Sequence, residues 1–135
     1  MRRILTVMLV TAGLAVSSLG AAHAGAGPAH VVKPPPGYKW VGWIIAHDFK
    51  GPLGKANYQM AMCVANRESK FNPKAYNPNS GASGVFQFIP NTWAWASKAA
   101  GYGDHAKVFR AKVNVGTAAW VVANYGWGAW GGHCP

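Results

Sequence analysis

The sequence predicts a small, mainly α-helical domain with at most a short β-wing, and three observations lead to this fold class. Apolar side chains at Ala56, Met60, Cys63 and Val64 follow the i, i+4, i+7, i+8 spacing of a helix. Two later stretches, "PNTWAWASKAA" and "AKVNVGTAAWVVAN", also have helical character. Only "VFQF" has the character of a strand, and a single strand does not make a sheet.

Residues 1–24 are typical of a secretory signal peptide. Arg2 and Arg3 precede a long, uncharged and mostly apolar run, which ends in the small-x-small sequence "AHA". The alternative is an uncleaved membrane anchor, but Gly, Ser and Thr interrupt the run. We expect cleavage after Ala24, a secreted or cell-envelope location, and no stable membrane insertion of the mature chain.

The remainder is expected to be a short linker and one domain. Residues 25–37, "GAGPAHVVKPPPG", are rich in Gly, Ala and Pro and predict an extended linker without a core of its own. All seven Trp and all five Tyr follow this linker. Residues 38–135 are therefore expected to form a single small domain with one core, which we expect to be a monomer.

Three helices are predicted in this domain. The first runs from about Lys55 to Ser69 and stops before "FNP", because a residue that precedes proline is biased away from helix. A loop rich in Asn, Pro, Ser and Gly follows. The second helix opens near Pro90 and stops at Gly101, and the third ends near Gly126. The tail "GWGAWGGHCP" is predicted to be a loop.

The chain is strongly basic, with 13 Lys and Arg against three acidic residues and a formal charge of +10. A cationic exported protein is attracted to anionic cell-wall polymers. The basic residues are scattered singly instead of following one helix face, and this pattern argues against specific nucleic-acid binding.

Two cysteines in an exported chain predict one disulfide, Cys63–Cys134. Free thiols or intermolecular pairing are the alternatives. A bridge across so long a loop stabilises a domain by roughly 4 kcal/mol in the chain-entropy model. It would hold the C-terminus to the segment that precedes Glu68.

Glu68 is the only glutamate of the chain and lies in the last turn of the first predicted helix. The negative end of the helix macrodipole disfavours a carboxylate there. Half-burial would add to this effect and favour the protonated form that a general acid needs. The alternative is an exposed structural glutamate, paired with Arg67, Lys70 or Lys74.

Few other residues could take part in catalysis. Asp104 lies in a Gly-flanked turn and Asp48 precedes a turn, so capping, or pairing of Asp48 with Lys50, is expected for them. The sequence thus favours a mechanism with one carboxylate. No pair of the five His has the helical spacing of a metal site, so no metal and no cofactor are expected.

Several tryptophans exceed the needs of a small core. Trp93 and Trp120 lie within apolar helix faces and are predicted to be structural. Trp127 and Trp130 lie in a Gly-rich loop, where an indole face could stack on a sugar ring. For Trp130, packing over the disulfide is an equally good interpretation.

The stretch "RESKFNPKAYNPNSGASGVFQFIPNTW" resembles the central motif block of the lysozyme-like soluble lytic transglycosylase (SLT) family. An "ES" pair at a helix end, "FNP", a Ser-Gly-Ala loop, an apolar pair before Gln, and a Pro-x-Thr helix start occur in the family's order. These elements are Glu68-Ser69, Phe71-Asn72-Pro73, Ser80-Gly81-Ala82, Gly84-Val85-Phe86-Gln87 and Pro90-Asn91-Thr92. The resemblance covers about residues 53–130 and implies an α+β lysozyme-like fold with residues 38–135 as the catalytic domain.

The resemblance also implies an activity. Glu68 would cleave the glycosidic bond between N-acetylmuramic acid and N-acetylglucosamine in peptidoglycan strands, first as a general acid and then as a base, and leave 1,6-anhydro ends. Ser69 and Gln87 would orient the substrate and the acid. Phe86, where many members have Met, would form the floor of the cleft.

Three features depart from the family or narrow it. The chain has Asn124-Tyr125 where the family has the order Tyr-Asn on its last helix, and these two residues are the expected substrate contacts there. The family's Asn-x-x-x-Gly helix is similar to "KVNVGTAAW", where Asn114 is displaced from that spacing. The closing "WGAWGGHC" resembles an actinobacterial branch related to resuscitation-promoting factors.

Two alternatives to a transglycosylase stay open at this point. A hydrolase of the same fold would place water where the transglycosylase places the sugar's own C6 hydroxyl, and its products would carry reducing ends. A non-catalytic, cationic wall-binding protein would explain the charge and the aromatic residues equally well, but not the motif block around Glu68.

Overall fold

The structure is a computed structural model, and it describes residues 32–103 and 106–134. The predicted signal peptide, most of the linker and Asp104 lie outside the described residues. No helix among the described residues is long and apolar enough to cross a membrane.

The described chain is mainly helical, as the sequence predicts. Two 3₁₀ turns, at Pro36–Tyr38 and Gly128–Trp130, flank the helices at the two ends. The four α-helices are α1 (Lys39–Ile45), α2 (Gly54–Ser69), α3 (Pro90–Ala99) and α4 (Ala111–Tyr125), and a π-helical turn, Ala46–Lys50, extends α1.

Helix α1 has no counterpart among the predicted elements. Val41, Ile45 and Phe49 are completely buried, and their i, i+4, i+8 spacing is that of a helix face. The signal is present in the sequence, but exposed Trp40, directly before Val41, and exposed Trp43, between Val41 and Ile45, obscure the period.

Helix α2 is the centre of the domain. Six consecutive residues, Met60 to Ala65, are buried, so the helix is covered on all sides and not only along one stripe. It ends where the sequence predicts, because Lys70 and Phe71 adopt left-handed φ angles of 54° and 64°. The N–H of Phe71 donates to the carbonyl of Ala65 at 3.2 Å and closes the last turn.

The disulfide Cys63–Cys134 is present, as predicted, with the two Cα atoms 6.2 Å apart. It joins the middle of α2 to the end of the described chain. The 3₁₀ turn at Gly128–Trp130 and the residues after it therefore form a loop that is fixed at both ends, which we call the C-terminal loop (residues 126–134).

The "VFQF" segment is a tight turn and not the short strand that the sequence suggests. Single antiparallel bridges pair Ser83 with Tyr76 and with Phe88, and the described residues contain no longer ladder. Gly84 and Gln87 take left-handed φ angles of 82° and 49°, which fold residues 84–87 back on themselves. The predicted β-wing is thus reduced to isolated bridges.

Aromatic rings join this turn to the rest of the core. Phe49 stacks on Phe86 and on Trp127, with centroid distances of 5.9 and 5.7 Å. Trp130 meets Phe86 and Phe88 edge-on at 5.7 and 5.6 Å. The α1 extension, the turn and the C-terminal loop thereby share one core under the end of α2.

Candidate active site

Glu68 lies in the last turn of α2, and its side chain is 27% exposed. The guanidinium of Arg67 approaches one of its two carboxylate oxygens: Nε donates to Oε1 at 3.0 Å, and Nη2 lies 2.9 Å from the same atom. From the sequence, Glu68 is either a half-buried general acid or an exposed structural glutamate in an ion pair, and the structure has features of both. The carboxyl group is largely covered, and it is paired with Arg67.

Arg67 also contacts the C-terminal loop. Its Nη2 donates to the carbonyl of Trp130 at 2.7 Å, and its Nη1 donates to the carbonyl of His133 at 3.2 Å. All three guanidinium nitrogens therefore have acceptors, which fixes the plane of the group. Through Arg67, the position of the Glu68 carboxylate depends on a loop that the disulfide fixes.

Ser69 connects α2 to the turn at residues 84–87. Its hydroxyl lies 2.8 Å from the carbonyl of Val85 and 3.1 Å from that of Ala65. This side chain is bonded to the backbone on both sides, so the structure gives it a positioning contact. The predicted contact of Ser69 with substrate stays a prediction.

Asn114 of α4 is fully buried and holds the same turn from the other side. Its Oδ1 accepts the N–H of Phe86 at 2.8 Å, and its Nδ2 donates to the carbonyls of Val108 at 3.0 Å and Ser83 at 3.3 Å. A Cβ at Gly84 would meet the carbonyl oxygen of Val108 at 2.7 Å. In the sequence, the signal for this role is an asparagine on the same helix face as the apolar residues Ala111, Val115 and Ala118.

Gln87 lies at the end of the turn. Its Nε2 donates to the carbonyls of Gly84 at 2.9 Å and Ala75 at 3.2 Å, so the side-chain amide has a fixed orientation. Gln87 also lines a surface cavity of about 150 Å³. A second cavity of about 450 Å³ adjoins it, and Thr92, Val121 and Ala129 line both.

The two cavities share these three lining residues, and we call them together the α3–α4 groove. It extends from Gln87 and Trp130 to Trp95 in the middle of α3 and Tyr125 at the end of α4. Trp130 lines the groove and accepts the hydrogen bond from Arg67 through its own carbonyl. The Glu68 carboxylate is therefore linked to a residue of the groove wall by a single guanidinium.

Three aromatic residues stand at the far end of the groove. Trp95, Trp120 and Tyr125 pack edge-on against each other, with centroid distances of 5.8 to 6.2 Å. Trp95 is 47% exposed and Tyr125 is 67% exposed. Of the pair at the end of α4, Tyr125 lines the groove, whereas Asn124 is exposed and donates to the carbonyl of Trp120 at 2.8 Å.

Phe86 and Trp127 are supporting residues in this arrangement. Phe86 is buried below the groove, its ring in contact with Phe49 and its carbonyl bonded by the indole N–H of Trp130 at 2.9 Å. Trp127 is 9% exposed, and its indole N–H donates to Oδ1 of Asn57 at 2.8 Å. Most of the Trp127 ring is used by the core, and its predicted contact with a sugar stays a prediction.

The other acidic residue that the structure describes lies elsewhere. Asp48 pairs with His47 at 2.7 Å, and not with Lys50 as one expectation had it. Within residues 32–103 and 106–134, no three His, Cys, Asp or Glu side chains are grouped as metal ligands. Of the two carboxylates that the structure describes, Glu68 is the one that Arg67 links to a residue lining the α3–α4 groove.

The comparison with known families is consistent with this geometry. A family model described as "Transglycosylase SLT domain" matches residues 53–125, more than half of the chain. The match contains Glu68, Gln87, Asn114 and Tyr125, and it ends before the C-terminal loop. No curated protein and no solved structure matches the chain significantly.

Proposed function

Since the chain belongs to the transglycosylase SLT domain family, whose members are lytic transglycosylases acting on peptidoglycan, we propose that Glu68 is the one acid–base group of this activity. The lysozyme-like fold and the peptidoglycan substrate come with the family. The assignment of Glu68, the 1,6-anhydro product and the cellular location are the proposed parts.

In the first step, protonated Glu68 donates its proton to the glycosidic oxygen between N-acetylmuramic acid and N-acetylglucosamine. The C1–O bond breaks, and positive charge develops at C1 of the muramic acid. The substrate's own N-acetyl oxygen stabilises this centre. In the second step, the Glu68 carboxylate accepts the proton of the C6 hydroxyl, O6 bonds to C1, and the 1,6-anhydro ring closes.

One observation supports Glu68 above all: both Arg67 contacts are to Oε1. None of the described residues donates a hydrogen bond to Oε2. This oxygen is the one that we assign to the proton transfers, while Arg67 keeps the carboxyl group in one orientation. A single carboxylate is sufficient, because the attacking hydroxyl belongs to the substrate and not to a water that a second carboxylate would have to activate.

The α3–α4 groove is the proposed site for the glycan strand. Trp95 and Tyr125 offer exposed ring surfaces on which sugar rings can stack. Gln87, fixed by two backbone carbonyls, and Thr92 offer polar groups in the cavity that Trp130 also lines. The formal charge of +10, or +8 once cleavage removes Arg2 and Arg3, favours a wall that carries anionic polymers.

We also propose that the protein acts outside the cytoplasm, after cleavage behind Ala24. Support comes from the sequence of residues 1–24, with its charged start and apolar run. N-terminal sequencing of the protein recovered from a culture of an expressing bacterium tests this proposal. A mature chain that begins at Gly25 is the expected result, and an uncleaved Met1 in the membrane fraction would contradict it.

The central experiment compares the wild-type protein with Glu68→Gln on purified peptidoglycan, followed by mass spectrometry of the released fragments. We expect 1,6-anhydro fragments from the wild type and none from the variant. Reducing ends would indicate a hydrolase instead. Binding without release of fragments would indicate the non-catalytic alternative, and full activity of Glu68→Gln would exclude the assigned residue. Thermal unfolding of both proteins controls for loss of fold.

A further inference from the structure

A further cavity, lined by exposed indoles, lies at the N-terminal end of α4, whereas the α3–α4 groove lies at its C-terminal end. It has a volume of about 380 Å³, within the range of roughly 300–1,000 Å³ of small-molecule sites. Its lining comes from one face of α1 and its extension, together with the first turn of α4: Trp40, Trp43, Ile44, His47, Asp48 and Lys112. We call this the α1 patch.

The exposure of the two tryptophans needs an explanation. Trp43 is 74% exposed and Trp40 is 43% exposed, whereas large apolar side chains of this kind normally bury most of their surface. The indole N–H of Trp40 donates to the carbonyl of Gly37 at 3.2 Å, which restricts the orientation of the ring. The two residues are three positions apart on one helix, so they lie next to each other on its surface.

Polar groups are placed beside these indoles. Nδ1 of His47 lies 2.7 Å from Oδ1 of Asp48, and the Asp48 side chain is only 18% exposed. Burial and, to a lesser extent, the negative charge of Asp48 raise the pKa of Tyr102. Indole faces can stack on the apolar faces of sugar rings, and the neighbouring carboxylate and imidazole can hydrogen-bond to sugar hydroxyls.

The positive charge around the α1 patch favours the binding of an anionic sugar polymer. Lys112 lines the cavity, and Lys39 and Lys50 lie at the two ends of the same helical segment. No carboxylate among the described residues pairs with any of these three lysines. Their charges attract a polyanion from solution. Asp48, at the centre, is unfavourable for the close approach of an anionic lipid surface.

We propose that the α1 patch is a second binding site for the glycan strands of peptidoglycan, separate from the groove in which cleavage occurs. Lys112 and Tyr125 lie at opposite ends of α4, which at a rise of about 1.5 Å per residue separates them by roughly 20 Å. A strand held at the patch therefore leaves the catalytic groove open for a neighbouring strand. The choice of glycan rests on the proposed function.

Binding of the Glu68→Gln protein to insoluble peptidoglycan, freed of teichoic acids, tests this proposal by co-sedimentation. The test variant adds Trp40→Ala and Trp43→Ala, and the matched control adds Phe109→Ala, an aromatic residue that is 37% exposed and lines neither site. We expect the double change to raise Kd about tenfold and the control to leave it unchanged. With Glu68 intact, the double variant should cleave short soluble fragments normally and intact walls more slowly.

Three results would overturn the proposal. The double variant could bind walls as tightly as its parent. It could retain wall binding and lose binding only to phosphatidylglycerol vesicles, which would make the patch a membrane contact. It could instead lose self-association in light scattering, which would make the patch a dimer interface. Tryptophan-dependent binding by a wild-type protein that cleaves nothing would refute the proposed function and leave this inference standing.

Discussion

Arg67 connects the Glu68 carboxylate with the backbone carbonyl of Trp130, and both contacts are shorter than 3 Å: 2.9 Å to Oε1 of Glu68 and 2.7 Å to Trp130. Arg67 is adjacent to Glu68 in the sequence, and it thereby connects the proposed catalytic carboxylate to the C-terminal loop, which lies more than sixty positions further along the chain. The contact of Arg67 with Glu68 is local in sequence, whereas its contact with Trp130 is a tertiary one.

Replacement of Arg67 by Met is expected to lower kcat by roughly ten- to a hundredfold with little change in KM. The reason is that a carboxyl group displaced by about 1 Å loses much of its effect on the reaction. Initial rates on soluble peptidoglycan fragments measure both constants. Arg67→Lys, which keeps the charge but not the planar group, should recover only part of the rate. A change confined to KM, or to thermal stability, would contradict this role.

Removal of the disulfide by Cys63→Ser with Cys134→Ser is expected to reduce the free energy of unfolding by about 4 kcal/mol, because the bridge closes a loop of 71 positions. Urea denaturation measures this difference. Below the melting temperature we also expect a lower kcat, since Arg67 loses the fixed positions of its two carbonyl acceptors. Reduced wild-type protein is the matched control and should behave like the variant. Full activity of the folded variant would show that the loop keeps its place without the bridge.

Asn114→Ala is expected to destabilise the domain by about 2–4 kcal/mol, because the buried N–H of Phe86 and the carbonyl of Val108 lose their partner. The carbonyl of Ser83 loses one of its two hydrogen bonds and keeps the one from the N–H of Phe88. Asn124→Ala, at an exposed position of the same helix, is the control and should cost less than about 0.5 kcal/mol. Chemical denaturation of both variants gives the comparison. Equal effects would mean that the Asn114 hydrogen bonds do not hold the turn.

Trp95→Ala is expected to raise KM for peptidoglycan fragments roughly tenfold, since it removes a ring that is 47% exposed in the α3–α4 groove. Tyr125→Phe keeps the ring and should have a small effect if stacking is what matters. Tyr76→Ala is the control, because Tyr76 is 60% exposed and lines neither cavity of the groove. An unchanged KM for Trp95→Ala would place the glycan elsewhere.

Much of the helical content could be predicted from local patterns. The predicted helix at 55–69 agrees with α2, because the apolar period and the "FNP" stop are both local signals. The two later helices were also located correctly to within two residues. Helix α1 has no predicted counterpart, because its exposed side also carries apolar side chains. These side chains hide the helical period of the buried face. The prediction of a strand at "VFQF" is wrong, because a short apolar segment also suits a turn whose apolar side chains are buried.

The sequence by itself determined that Glu68 stands alone at the end of a helix, that two cysteines would pair, and that the motif block belongs to the SLT family. Tertiary structure alone decided which groups surround that glutamate. Arg67 reaches the C-terminal loop, Asn114 holds the turn beneath the groove, and Trp127 turns into the core. Helix ends and turns follow from interactions between near neighbours, whereas these contacts join residues from 28 to 70 positions apart, and only packing brings them together.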